Sequence, residues 1–173
     1  LEEQRMYTSS IHKAVEGAAQ NIKEGKSRSF VIYGEPQSGK TEMMIALTAK
    51  LLDDGHKIII VLMNDNVQLL DQNHQRFMES AIDPTPRKFN EILDSSVEIG
   101  ESEWIIFSKK NHKDLEKLIS KIGSIDSKII IDDEADYATP NTKVNKGERT
   151  RINNLVMKLL SNSGIYIGVT ATP

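Results

Sequence analysis

Ser29-Phe30-Val31-Ile32-Tyr33-Gly34-Glu35-Pro36-Gln37-Ser38-Gly39-Lys40-Thr41 reads as a short apolar strand that runs into a loop. Gly34 to Thr41 satisfies G-x-x-x-x-G-K-[ST] without a mismatch. The spacing has a physical cause. Gly34 and Gly39 allow backbone conformations that side chains resist, so successive N–H groups of Glu35, Pro36, Gln37 and Ser38 and their neighbours can turn around a phosphate, proline's missing donor aside. Lys40 is placed to reach β- and γ-phosphates, and Thr41 to offer a hydroxyl to Mg²⁺. Met43, Met44, Leu47 and Leu51 recur at helical spacing behind the loop, so a helix points its positive end at the same anion. A Gly-rich turn alone would need neither the strand before nor the helix after. The expected ligand is ATP with Mg²⁺.

Outward from this loop the chain alternates. An amphipathic helix opens it, with Ile11, Ala14, Val15, Ala18, Ala19 and Ile22 on one face and Gly25 as its stop. After the loop helix, Gly55 closes and Lys57 to Met63 forms a second strand, followed by a helix from about Val67 to Ser80. Asp83 to Glu103 reads mostly as connection. Trp104 to Phe107 is a third strand, and Asn111 caps a helix carrying Leu115, Leu118, Ile119 and Ile122. Lys128 to Ile131 is a fourth strand. A polar loop, Thr139 to Arg149, leads to a helix bearing Ile152, Leu155, Val156, Leu159 and Leu160, and Ile165 to Val169 is a fifth strand. Apolar strands alternating with amphipathic helices predict an α/β domain whose mainly parallel sheet is covered on both faces. Its ligand site belongs at the carboxyl ends of the strands.

Composition narrows the class. The 173 residues suffice for one α/β domain and carry a net charge of −3, so no basic field advertises nucleic acid. There are no cysteines, which excludes disulfides and thiolate metal sites and fits a cytoplasmic location. His12, His56, His74 and His112 lack zinc-ligand spacing and read as surface residues. No apolar run approaches a membrane span of about 20 residues, and no signal peptide is visible. Leu1 is not an initiator, so a fragment of a longer chain is expected.

Asp132-Asp133-Glu134-Ala135-Asp136 follows three isoleucines, four acids in five residues. Such a cluster is costly without a cation. Beside a phosphate loop, one aspartate can hold Mg²⁺ and the adjacent glutamate can orient or deprotonate water. We align Asp133 with the metal and Glu134 with the base, Asp132 being the rival for the metal. At the last strand's end, the hydroxyls of Thr170 and Thr172 in Thr170-Ala171-Thr172-Pro173 can hydrogen-bond the acidic cluster.

The three motifs, in this order on successive strand ends, resemble the first motor domain of superfamily-two helicases and translocases, a RecA-like P-loop fold. Ile131 to Thr142, Ile152-Asn153, Leu159-Leu160 and Tyr166-Ile167-Gly168 look most like the Z-one domain family, helicase-like ATPases of restriction and other bacterial or phage DNA systems. The resemblance covers residues 28–173, with residues 1–27 a helical lead-in. It implies an ATP-hydrolysing motor on nucleic acid, DNA rather than RNA, with Asp136, Thr170 and Thr172 coupling phosphate state to movement. It also implies a second motor domain in the full-length chain, absent from these residues, and phosphate contacts from Asn66 and Arg76. Lys109 and Lys110, just past a strand end on the expected active edge, are further candidates for such contacts, although a charge pair there is usually solvated. The pattern departs from the family at Tyr7-Thr8, where many such motors place a glutamine that reads adenine, and no nuclease motif is present. Three other readings compete: a small-molecule kinase, a viral DNA-packaging ATPase, and a nucleotide-dependent binding module.

Overall fold

The computed structural model describes residues 2–34, 39–133 and 146–170. Among the described residues, six parallel strands form one sheet in the order β1-β6-β5-β2-β4-β3. They are β1 (Ser29–Tyr33), β2 (Ile58–Met63), β3 (Arg87–Lys88), β4 (Trp104–Lys109), β5 (Ile129–Asp133) and β6 (Ile165–Thr170). α1 (Glu2–Glu24) precedes them, and between them lie α2 (Gly39–Asp53), α3 (Val67–Glu79), α4 (Phe89–Ile92), α5 (His112–Ile122) and α6 (Lys146–Leu160). This is the RecA-like α/β arrangement, with helices on both faces.

Strand side chains alternate, and the two cores follow that alternation. Ile59, Val61, Met63, Ile129 and Ile131 pack with Val15 of α1, Leu47 of α2 and Phe77 of α3. Ile58, Ile60, Leu62 and Ile130 pack on the opposite face with Ile92 of α4, Leu118 of α5 and Leu159 of α6. A strand buried on both sides needs an unbroken apolar run, which Ile58 to Met63 supplies.

Four expectations change. The stretch expected as connection holds the edge strand β3 and the short helix α4. β5 runs on through Asp132 and Asp133, so both acids lie within the strand rather than after it. α6 begins at Lys146, inside the stretch expected as loop. Of the histidines only His12 is exposed. His74 packs edge-on against Phe107 with its Nε2 2.9 Å from the Pro86 carbonyl, and burial lowers the pKa of His56.

Candidate functional site

The carboxyl ends of β1, β5 and β6 meet the start of α2. The Gly34 N–H donates to the Thr170 carbonyl at 2.8 Å, which ties the first residue of the phosphate loop to the end of β6. Glu35, Pro36, Gln37 and Ser38 lie outside the described residues, and Gly39, Lys40 and Thr41 open α2. N–H groups in a helix's first turn have no partner within the helix, so that end favours anions. Gly34 itself does not use the left-handed region. A Cβ built there would meet the Lys40 side chain at 3.5 Å, ordinary contact, so strain does not explain this glycine.

Strand alternation separates the two aspartates. Asp133 follows Ile129 and Ile131 onto the face of α2, where its Oδ1 lies 2.8 Å from Lys40 Nζ. Asp132 follows Ile130 onto the face of α5 and α6. There it is fully buried, with Lys110 Nζ 2.7 Å from its Oδ1 and the Tyr166 hydroxyl donating to its Oδ2 at 2.5 Å. Lys110 Nζ also donates to the backbone carbonyl of Asp133 at 3.1 Å. Burial pushes the Asp132 carboxyl above the usual range, and Lys110 and Tyr166 pull against that rise. Asp132 Oδ1 and Asp133 Oδ1 thus each face a lysine at ion-pair distance.

Thr41 is buried beside Lys40, and its hydroxyl donates to Asn73 Oδ1 of α3 at 2.8 Å. A hydroxyl and a carboxylate flanking one lysine suit Mg²⁺, a hard cation that takes few protein oxygens and completes its shell with phosphate and water. The buried Asp133 carboxylate at the end of β5, beside the phosphate-loop lysine, is the observation that fits.

Of the other sequence candidates, Glu134, Asp136 and Thr172 lie outside the described residues. Thr170 ends β6, buried. Asn66 caps α3, accepting from Leu69 N–H at 3.0 Å. Arg76 pairs with Glu42 of α2. Lys109 lies between Asp65 and Asp114, at 3.8 and 3.7 Å. The candidate phosphate contacts are thus held in internal pairs rather than gathered into one basic track.

Residues 11–173 match the family model for the SWI2/SNF2 ATPases. The chain belongs to the SWI2/SNF2 ATPase family. It is a helicase-like motor domain of superfamily two. The fold is also that of a solved nuclease-deletion mutant of the Type ISP restriction-modification enzyme LlaGI, in complex with a DNA substrate mimic. That likeness has a TM-score of 0.64 at 16% identity and covers 94% of this chain. The SWI2/SNF2 chain spans only 17% of that enzyme's chain. No curated protein matches it.

Sequence reading missed Asn73, Tyr166 and the role of Lys110 in this SWI2/SNF2 domain. A lysine pair just past a strand end is usually solvated, and Lys110 departs from that. Its side chain is only 9% exposed, because the buried Asp132 carboxylate on β5, across β2 from β4, demands a cation. An isolated asparagine in an amphipathic helix gives no signal until its partner is known. Among the described residues, no helix is long and apolar enough to cross a membrane.

Proposed function

We propose that this domain binds Mg-ATP through Gly34 to Thr41 and hydrolyses it to drive movement on DNA. The ion pair of Lys40 with Asp133 carries the reading, because it brings the phosphate-loop lysine against the acidic strand end. Lys40 is placed to turn from Asp133 to the β- and γ-phosphates. Thr41 and Asp133 would hold Mg²⁺, and Asp132, engaged by Lys110 and Tyr166, would not. Bound Mg²⁺ would neutralise charge on the phosphate oxygens. Glu134 takes the proton of the attacking water, whose oxygen forms a bond to the γ-phosphorus as the bond to the β-bridging oxygen breaks, giving ADP and phosphate. Asp136, Thr170 and Thr172 report the phosphate state.

DNA as the track is supported by the complex in which the LlaGI neighbour was solved. Asn66, Arg76 and Lys109 are the proposed contacts. The likeness of Ile131 to Thr142 to the Z-one family supports a restriction or phage DNA-processing system in the cytoplasm. We take residues 28–173 as the first of two motor domains, with residues 1–27 leading in. The second would supply an arginine to the γ-phosphate, worth on the order of 10³ to 10⁵ in rate in other P-loop enzymes.

Steady-state phosphate release tests this, measured on the present chain and on the protein extended beyond Pro173, each with and without single- and double-stranded DNA. The chain should turn over very slowly and the extended protein should respond to DNA. Glu134→Gln should keep ATP binding in the extended protein and lose hydrolysis. Rapid, DNA-independent turnover by residues 1–173 would overturn the two-domain reading.

A further inference from the structure

We propose that Asn73 is a positioning residue for the metal site, holding the Thr41 hydroxyl so that its lone pairs face the cation. The inference rests on the nucleotide reading above and extends it to a helix outside the phosphate loop.

Hydrogen-bond polarity fixes the arrangement. Asn73 lies on α3, buried, with Nδ2 2.9 Å from the Leu69 carbonyl oxygen. A carbonyl only accepts, so the amide nitrogen must face Leu69 and the amide oxygen must face Thr41. That oxygen has no proton to give. The 2.8 Å contact therefore requires the Thr41 hydroxyl to be the donor. A hydroxyl has one proton and two lone pairs. With its proton committed to Asn73, only lone pairs remain for any further partner, and lone pairs are what Mg²⁺ requires.

The alternative is a helix-to-helix bond of structural value alone. A second link one turn along α3, Arg76 to Glu42, already joins the same two helices at the surface. Asn73 is distinct in that its partner is the one hydroxyl at the start of α2 proposed for the cation. A purely structural bond would change the melting point and leave the Mg²⁺ dependence of binding alone. A positioning bond changes that dependence.

The experiment measures ADP affinity by calorimetry in EDTA and in a MgCl₂ series, and takes the ratio as the Mg²⁺ enhancement. The proteins are wild type, Asn73→Leu, Asn73→Asp, Thr41→Val and the Thr41→Val/Asn73→Leu double variant. Asn73→Leu keeps the side-chain shape, and its enhancement should fall about tenfold, the lower end of what losing a hydrogen-bond partner of a metal ligand costs. Asn73→Asp still accepts from Thr41 and should recover most of it. Adding Asn73→Leu to Thr41→Val should cause no further loss, since the hydroxyl is already gone. If Asn73→Leu does not fold, Asn73→Ala makes the same test. Undiminished enhancement in the folded Asn73 variant, or additive losses in the double variant, overturns the inference while leaving the nucleotide reading intact. Wild-type protein that binds no ADP with or without Mg²⁺ overturns both.

Discussion

Lys40 Nζ stands 2.8 Å from Asp133 Oδ1, joining the first turn of α2 to the last residue of β5. The two side chains are only 15% and 3% exposed, so the pair offsets part of the cost of taking each charge out of water. Lysine and carboxylate are thereby stored beside each other at the point where polyphosphate and cation are expected.

Lys40→Ala should consequently do two things. It removes the cation proposed for the phosphates, so binding of Mg-ADP should be lost. It also leaves Asp133 buried without a partner, a change that costs about 3 kcal/mol. Wild type should gain about 2.7 kcal/mol from Mg-ADP at a hundredfold excess over Kd, and the variant nothing. Chemical denaturation with and without Mg-ADP reads both effects. A wild-type curve unmoved by saturating ligand would sink the nucleotide assignment.

Asp132 and Asp133 should separate cleanly. Asp133→Asn should lose most of the Mg²⁺ enhancement of ADP affinity while metal-free binding persists or tightens, because Lys40 is released. Asp132→Asn should retain the enhancement and instead lose about 3 kcal/mol of stability, as it breaks the buried ion pair with Lys110. Parallel MgCl₂ titrations and urea melts distinguish the two. The reverse pattern would move the metal assignment by one residue.

The ambiguity between these neighbours shows where sequence stops being readable. The phosphate loop, the strand-helix alternation and the capping of α5 by Asn111 are local, and local chemistry specified them. A strand such as Ile129 to Asp133, apolar on both faces, has no polar side to say which residue points where. Only the packing of Ile129 and Ile131 against the α1–α3 core assigns Asp133 to the face of α2. β3 is two residues long, too short for any period to register, and pairs only because β4 offers an edge. The burial of Lys110 was equally hidden, since its partner Asp132 comes from β5, and Tyr166, which shares that carboxylate, from β6.

Lys128 sits at the opposite end of the sheet from the phosphate loop and is fully buried. Its ammonium donates to the carbonyls of Ile122 and Gly123 at 3.0 and 3.1 Å and to that of Ile125, capping the end of α5. Lys128→Met should cost about 3 kcal/mol by orphaning buried carbonyls. Burial lowers this lysine's pKa below the usual range. Between the folded and unfolded pKa values the unfolded chain binds more protons, so this group's contribution to stability rises with pH there. Below the folded pKa its charge penalty is fully present. Urea midpoints of wild type and Lys128→Met across the alkaline range should therefore diverge as pH rises. Curves that stay parallel would mean the lysine keeps its ordinary pKa.

Arg76 is proposed to touch DNA phosphate, yet it pairs with Glu42 at the start of α2. Binding would exchange one anionic partner for another, so Glu42 acts as an internal competitor. The pair is half-exposed, and such pairs are worth up to about 1 kcal/mol. Glu42→Gln should therefore tighten binding of single-stranded DNA roughly two- to fivefold at low salt. Arg76→Ala should weaken it for every sequence and reduce the slope of log K against log salt by about 0.7. Fluorescence anisotropy over a salt series measures both quantities. If Glu42→Gln weakens binding as Arg76→Ala does, the pair serves to join α2 to α3 and Arg76 does not reach the phosphate.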